Sequence, residues 1–347
     1  MQKWKLHESG EEWMRSLEIR LVRRPDGFPG DDCFAMATVD VAEPRAGEVQ
    51  VRNLLMSVDP AMRGRMYEGR SYIEPFKLDE AMEARALGVV TASGTPEIPV
   101  GSHVTSSLGF REAFTAPASA VVKVDLMGLP PRVFMNLAGS SGKTAYLGMT
   151  KIAGLKPGDV VFVSSAAGSV GSIAAQIARL KGHKVIGSAG GSEKVAFLTD
   201  ELGLDAAIDY KGPQKLVKAL AAAAPEGIDV YFDNVGGDHL QAAIAIANPF
   251  ARFAICGMIS QYNDAASGTG PRNLTQIMGK CIRMEGFLLL RYEDQIPDFL
   301  SDIVKWYNSG ELKSRETVFV GIERAVDAFL GVLRGENIGK MLVQLGE

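Results

Sequence analysis

DVVFVSSAAGSVGSIAAQIARLKGHKVIGSAGGSEK, residues 159–194, reads as a strand, a glycine turn, a helix, a second strand and a polar loop. Val160–Ser164 is β-branched and aromatic, the composition of a strand covered on both faces in a parallel sheet. The run ends in Ala166-Ala167-Gly168-Ser169-Val170-Gly171, the dinucleotide fingerprint G-x-G-x-x-G with alanine in the first glycine's place. Ser172–Lys181 then carries apolar residues at helical spacing, and Lys184–Ser188 is the next strand. Glycine at 168 lets backbone N–H groups approach a pyrophosphate, and glycine at 171 lets the helix lie close on the strand. A glycine turn alone is weak. Strand, turn, helix and strand in this order point to a nucleotide site.

The adenosine end is legible too. An NAD site places Asp or Glu at the end of the second strand to bind the ribose hydroxyls. Here Gly187-Ser188-Ala189-Gly190-Gly191-Ser192 holds no carboxylate, and Glu193 is followed by Lys194. Lys194 reads either as a solvated first-turn lysine or as a cation meeting a 2′-phosphate. The missing acid favours the second reading, and so NADPH over NADH.

Composition narrows the partners. The chain has 347 residues with 46% hydrophobic content, enough for two domains with proper cores. A net charge of −4, with Lys and Arg scattered, gives no field for nucleic acid or an anionic membrane. MQKWKLHESGEEW at the start has no apolar leader core, and no apolar run approaches the roughly eighteen residues of a membrane span. A cytoplasmic protein is expected. Cys33, Cys256 and Cys281 form no Cys-x-x-Cys pair, and His7, His103, His183 and His239 stand at no ligand spacing, so no metal is expected.

In chain order, residues 1–138 are rich in strands and turns. Leu17–Arg24, Glu48–Ser57, Leu87–Ser93 and Ala120–Val124 read as strands of a compact, curved β domain. Gly142-Lys143-Thr144 ends like a Walker A loop, but Leu137 stands where that pattern needs glycine, which leaves a helix N-terminal turn. From Val160 to Ser309 strands and helices alternate, six strands in all, the spacing of a doubly wound α/β sheet over residues 139–309. Ligands bind at the carboxyl ends of such strands, where Tyr210, Asn234 and Gly257-Met258-Ile259-Ser260-Gln261-Tyr262-Asn263 fall. Plain turn chemistry also suits the Asn and Gly there. Thr317–Val320, Ile322–Leu333 and Lys340–Leu345 have no place in a six-stranded sheet, so residues 310–347 are expected to return to the first domain.

Val58-Asp59-Pro60 with Met62-Arg63-Gly64-Arg65-Met66, the Ala-Ala-Gly-Ser-Val-Gly turn, Phe232-Asp233-Asn234-Val235-Gly236-Gly237, Ser260-Gln261-Tyr262-Asn263 and Asn337-Ile338-Gly339-Lys340 occur in that order. Together they resemble the zinc-independent medium-chain dehydrogenases/reductases, in the branch of prostaglandin reductases, 2-alkenal double-bond reductases and curcumin reductase, over nearly the whole chain. The resemblance implies a Rossmann nucleotide-binding domain with a GroES-like catalytic domain. It also implies NADPH-dependent reduction of the carbon–carbon double bond of α,β-unsaturated ketones and aldehydes as small-molecule substrates, usually by homodimers. The cofactor contacts it implies fall on Ser169, Val170, Gly171 and Ser172 at the pyrophosphate, and on Lys194 and Tyr210 at the adenosine phosphate. Others fall on Asn234, the loop Cys256, Gly257, Met258, Ile259, Ser260, Gln261 and Tyr262, then Phe287, Leu288 and Leu289, and Asn337.

Three departures lie around the substrate cavity that the resemblance implies. Ala61 stands where the family usually has tyrosine, Ser140-Ser141-Gly142-Lys143 where it has Met-Pro-Gly-Leu, and Phe110-Arg111 where it has Trp-Gln. In enone reduction negative charge gathers on the carbonyl oxygen, and Tyr262 is the side chain best placed in the sequence to donate to it. A rim tyrosine with a satisfied hydroxyl is the plainer reading. An NADPH:quinone reductase of the same fold, and a non-catalytic NADPH-binding redox sensor, are the alternatives.

Overall fold

The computed structural model describes residues 5–6, 12–69, 71–263 and 270–346. His7 lies outside them. The chain forms two compact units, Met1–Met135 with Glu316–Asn337 and Met341–Glu347, and Asn136–Arg315 with Ile338–Lys340.

The first unit is built on Glu48–Ser57, whose Val49, Val51, Leu55 and Met56 are all buried. That strand is central in a seven-stranded sheet. It pairs antiparallel with Ala86–Ser93, Ala113–Pro117 and Lys340–Gln344, with Leu342 opposite Ser57. Burying apolar surface on both sides of one strand yields two clusters. Val49, Val90, Val104 and Phe114 form one, and Met56, Met62, Phe110, Phe329 and Val343 the other. Phe329 comes from the helix Ala325–Arg334, which stops at Gly335 in the left-handed conformation that glycine adopts without strain.

The expected strand at Leu17–Arg24 lies at Glu12–Leu21 and pairs with Phe34–Val41, a strand the sequence does not announce. Phe34–Val41 mixes small and half-exposed residues, so its period-two signal is faint.

The second unit carries β1 (Val160–Val163), β2 (Lys184–Ala189), β3 (Ala206–Asp209), β4 (Ile228–Asp233), β5 (Ala247–Ile255) and β6 (Arg283–Gly286). They pair in parallel in the order β3-β2-β1-β4-β5-β6, the doubly wound arrangement whose switch point lies between β1 and β4. The helices that bear on the site are α1 (Ser140–Leu147), α2 (Ser169–Leu180) and α3 (Gly237–Ile246). Phe162 of β1 stacks on Tyr231 of β4 with centroids 5.1 Å apart, and Tyr231 meets Phe253 of β5 edge-on at 5.2 Å. These rings lie inside the sheet's core, where deleting one costs about 3–5 kcal/mol. The strand expected at Cys281–Leu290 is shorter, because the chain turns into a 3-10 segment at Leu289–Arg291.

Residues Ile338–Lys340 group with this unit rather than with the flanking C-terminal residues. The Gly339 N–H donates to Ala167 O at 2.8 Å, and Gly339 bridges Gly168. A Cβ at 339 would lie 1.9 Å from Arg315 O, so only glycine permits this approach.

Candidate functional site

The fingerprint turn joins β1 to α2. Gly168 is the N-cap residue of α2 in extended conformation, and no side chain caps this helix. The N–H groups of its first turn therefore remain donors toward the open end, where the helix dipole places roughly half a positive charge. A Cβ on Gly171 would stand 2.2 Å from Ser165 O, so a side chain there would push the helix off the turn. Uncapped donors, close backbone approach and a positive helix end fit a diphosphate.

At the second strand's end, Lys194 lies half-buried in the short helix Ser192–Ala196. Tyr210 follows β3, its N–H donating to Ala189 O at 3.1 Å and its residue 42% exposed. A Cβ on Gly190 would lie 2.9 Å from the Tyr210 hydroxyl, so the tyrosine and the backbone beside Lys194 belong to one small surface. Asp209 ties this surface together. Its Oδ1 accepts the N–H groups of Gly191 and Lys211, each at 2.9 Å, and those bonds hold its carboxyl below the usual range. Behind Tyr210 lies the buried ring of His239 on α3.

The third part is the turn after β4. Asp233 is fully buried, and its Oδ1 accepts the N–H groups of Val235 (2.9 Å) and Gly236 (2.8 Å) and the hydroxyl of Tyr231 (2.7 Å). Desolvation raises its pKa against those bonds. The Asn234 N–H donates to Ser164 Oγ at 2.9 Å and its Nδ2 to Ser164 O at 2.7 Å, so Asn234 is clamped to the end of β1. Next along the edge, the N–H of Ile259 donates to Asn234 O (3.3 Å) and that of Ser260 to Val235 O (3.2 Å). These bonds lay Cys256–Tyr262 against the turn.

Desolvation, followed by the Asp233 charge, pushes the Cys256 thiol up to about 12, although the residue as a whole is half-buried. The thiol stays protonated. The Tyr262 hydroxyl lies over Gly257 and accepts the Met258 N–H at 3.4 Å. Phe287, buried just past β6, meets Phe232 edge-on at 6.2 Å, and half-buried Leu288 and Leu289 follow it.

Tyr210, Lys194, the glycine turn, Asn234, Cys256–Tyr262 and Phe287 thus follow the carboxyl ends of β3, β2, β1, β4, β5 and β6 in turn. Lys143 is half-buried on α1 of the same unit. Ala61, Phe110 and Asn337 belong to the first unit. Ala61 is exposed in the 3-10 segment Pro60–Met66, Phe110 is wholly buried in that unit's core, and Asn337 is 8% exposed.

Sequence reasoning missed the groups beneath this row. Asp233 was part of a quoted motif without a role, since its grip on the turn depends on burial. Ser141 and Asn136, which accept from Ser169, and Lys340, which bonds Ser141, were given no role: Lys340 was one letter of a quoted motif, and the others give no local signal beyond an unusual Ser-Ser before Gly142.

Residues 17–124 match the family described as the N-terminal domain of oxidoreductase, and residues 169–305 the family described as zinc-binding dehydrogenase. The chain is similar to the 2-alkenal reductase (NADP(+)-dependent) of Nicotiana tabacum, 38% identical over 96% of this chain and 98% of that protein. Prostaglandin reductase 1 of Rattus norvegicus is 36% identical over 93% of this chain and 97% of its own length. The crystal structure of CurA in complex with NADPH from Vibrio vulnificus superposes with a TM-score of 0.90 at 37% identity, covering 95% of this chain and 99% of that one. Among the described residues no group of three or more His, Cys, Asp or Glu could hold a metal ion. No helix among them is long and apolar enough to cross a membrane.

Proposed function

The chain belongs to the zinc-independent medium-chain dehydrogenases/reductases, and on that premise we propose that it reduces the carbon–carbon double bond of α,β-unsaturated ketones and aldehydes with NADPH. It is an NADP-dependent oxidoreductase of the group that holds the prostaglandin, curcumin and 2-alkenal reductases. The observation that carries the reading is the row of groups along one sheet edge, with the uncapped α2 N-terminus at its centre and no acid at the end of β2.

In this reading Ser169–Ser172 hold the diphosphate, through the N–H groups of Ser169, Val170 and Gly171, the Ser172 N–H being spent on Gly168 O; Lys194 and Tyr210 hold the adenosine phosphate, and Asn234, Cys256–Tyr262, Phe287–Leu289 and Asn337 the nicotinamide half. Bound there, NADPH supplies a hydride to the β-carbon of the enone. The hold of Ser164 on Asn234, and of Asp233 on Val235 and Gly236, keeps that turn in one conformation, so little ordering remains to be done on binding. Tyr262 donates to the carbonyl oxygen as negative charge gathers on it, and so acts as the catalytic residue. Ala61 and Lys143 are assigned to the substrate side. Phe110, which the resemblance put on the same side, has its ring wholly buried in the first unit's core.

The first unit is the catalytic domain in this assignment, the second the cofactor domain, and the active species a homodimer. Steady-state oxidation of NADPH with a panel of enones, enals and quinones tests the function. Turnover of enones without quinones is expected. Turnover of quinones alone, or tight NADPH binding with no turnover of anything, would overturn it.

A further inference from the structure

The second unit contains a buried lysine that this reading does not use. Lys340 is 1% exposed. Its Nζ donates to Ser141 Oγ at 3.3 Å. Ser141, on α1, is itself 4% exposed, and its Oγ lies 2.8 Å from Ser169 Oγ. Ser169 is the first residue of α2, and its hydroxyl also lies 3.4 Å from Asn136 Oδ1. The lysine's backbone is fixed at the same place, because Gly339 bonds to Ala167 in the glycine turn and the Lys340 N–H donates to Arg315 O at 2.9 Å.

We propose that Lys340 is a positioning residue for the diphosphate of the bound dinucleotide, acting through Ser141 on the hydroxyl of Ser169. The proposal rests on the dinucleotide reading above.

The argument follows the protons. An ammonium donates three and accepts none, whereas a hydroxyl has a single proton and can rotate. In the structure Ser169 donates to Ser141. With Lys340 already donating to Ser141, rotation of two hydroxyls lets Ser141 donate to Ser169 instead. The Ser169 proton, released from Ser141, can then turn outward at the start of α2 to an anion in place of its long 3.4 Å contact with Asn136 Oδ1. No bond to a heavy atom breaks, and the ammonium polarises the chain in the sense that favours negative charge at its far end. The family resembled usually has proline at 141, which carries no hydroxyl, so the link is a property of this chain's own Ser-Ser-Gly-Lys stretch.

Calorimetric titration with NADPH and with 2′-AMP, which carries the adenosine phosphate but no diphosphate, tests this on the full chain and its variants. Ser141→Ala should weaken NADPH about tenfold, and Lys340→Met roughly tenfold to a hundredfold, the range for a hydrogen bond to a charged group. Ser141→Thr, which keeps the hydroxyl, should restore binding, and 2′-AMP should bind all variants as it binds the wild type. If Lys340→Met does not fold, the two Ser141 variants decide. NADPH binding unchanged in Ser141→Ala, or NADPH and 2′-AMP weakened equally, overturns the proposal and leaves the dinucleotide reading standing. A wild type that binds neither probe overturns both.

Discussion

Tyr210 meets the ring of His239 edge-on, with centroids 5.1 Å apart and planes inclined at 75°. The histidine is buried, and its Nε2 has no hydrogen-bond partner among the described residues. Desolvation pushes the imidazole down to about 4, with only Asp238 pulling the other way. Tyr210, assigned above to the adenosine end, is therefore backed by a neutral ring.

This pair makes stability depend on pH. As pH falls through about 6.5 the unfolded chain takes up a proton that the folded ring refuses until about 4. The stabilisation from His239 is thus complete above the higher value and lost toward the lower one, by up to about 3 kcal/mol. Thermal unfolding near neutral pH and near pH ~5 should show His239→Leu losing less stability on acidification than the wild type does. Equal losses would refute the assignment.

Lys194 is expected to select the phosphorylated dinucleotide. Lys194→Ala should raise KM for NADPH roughly tenfold to a hundredfold, the worth of one hydrogen bond to a charged group, and leave KM for NADH nearly unchanged. An equal rise for both cofactors would place the lysine outside the phosphate site.

Gly171→Ala sets a Cβ 2.2 Å from Ser165 O, a backbone atom with little room to retreat. The expected destabilisation is about 1–3 kcal/mol, with a larger loss of NADPH affinity because the α2 N–H groups tilt away from the diphosphate. Calorimetric unfolding and NADPH titration of the variant would read both. Wild-type affinity in the variant would show that the turn has slack the geometry denies.

Ala61 is assigned to the substrate side, one ring and one hydroxyl short of the tyrosine that the resemblance would put there. Ala61→Tyr should improve kcat/KM for a small enal and lower it for a bulky aryl enone, since a cavity left by a missing ring does not collapse fully. Tyr262→Phe should cut kcat more than about tenfold, at or below what one oxyanion donor contributes. The ratio of kcat/KM for the two substrates is the measurement. A ratio unmoved by Ala61→Tyr means that position 61 does not face the substrate.

The row of strands in the second unit was legible because most are short, largely apolar runs closed by a polar or glycine turn, although β6 itself is not, and the order of such runs dictates a doubly wound sheet. The glycine turn was legible for the same local reason. Phe34–Val41 was not, because half-exposed small residues blur the alternation. Lys340 reads in sequence as an ordinary strand lysine, a residue type almost never fully buried. Its contact with Ser141 joins positions 199 residues apart, so no local pattern announces it. Asp233 was visible as a letter in a motif, while its hold on Val235 and Gly236 depends on folding the strand that buries it.

The clip between Gly339 and Ala167 also sets an order of events in time. A chain leaving the ribosome exposes the fingerprint stretch long before Ile338–Lys340 exists, so any part of the sheet that assembles during synthesis does so with its glycine turn still lacking this partner. Closing so long a loop adds an entropic barrier that grows with the logarithm of its length, and native contacts of that separation are made late. Pulsed hydrogen exchange during refolding should find the Ile186 amide, inside the sheet, protected before that of Gly339. The dinucleotide cradle would then be the last part of its own unit to mature.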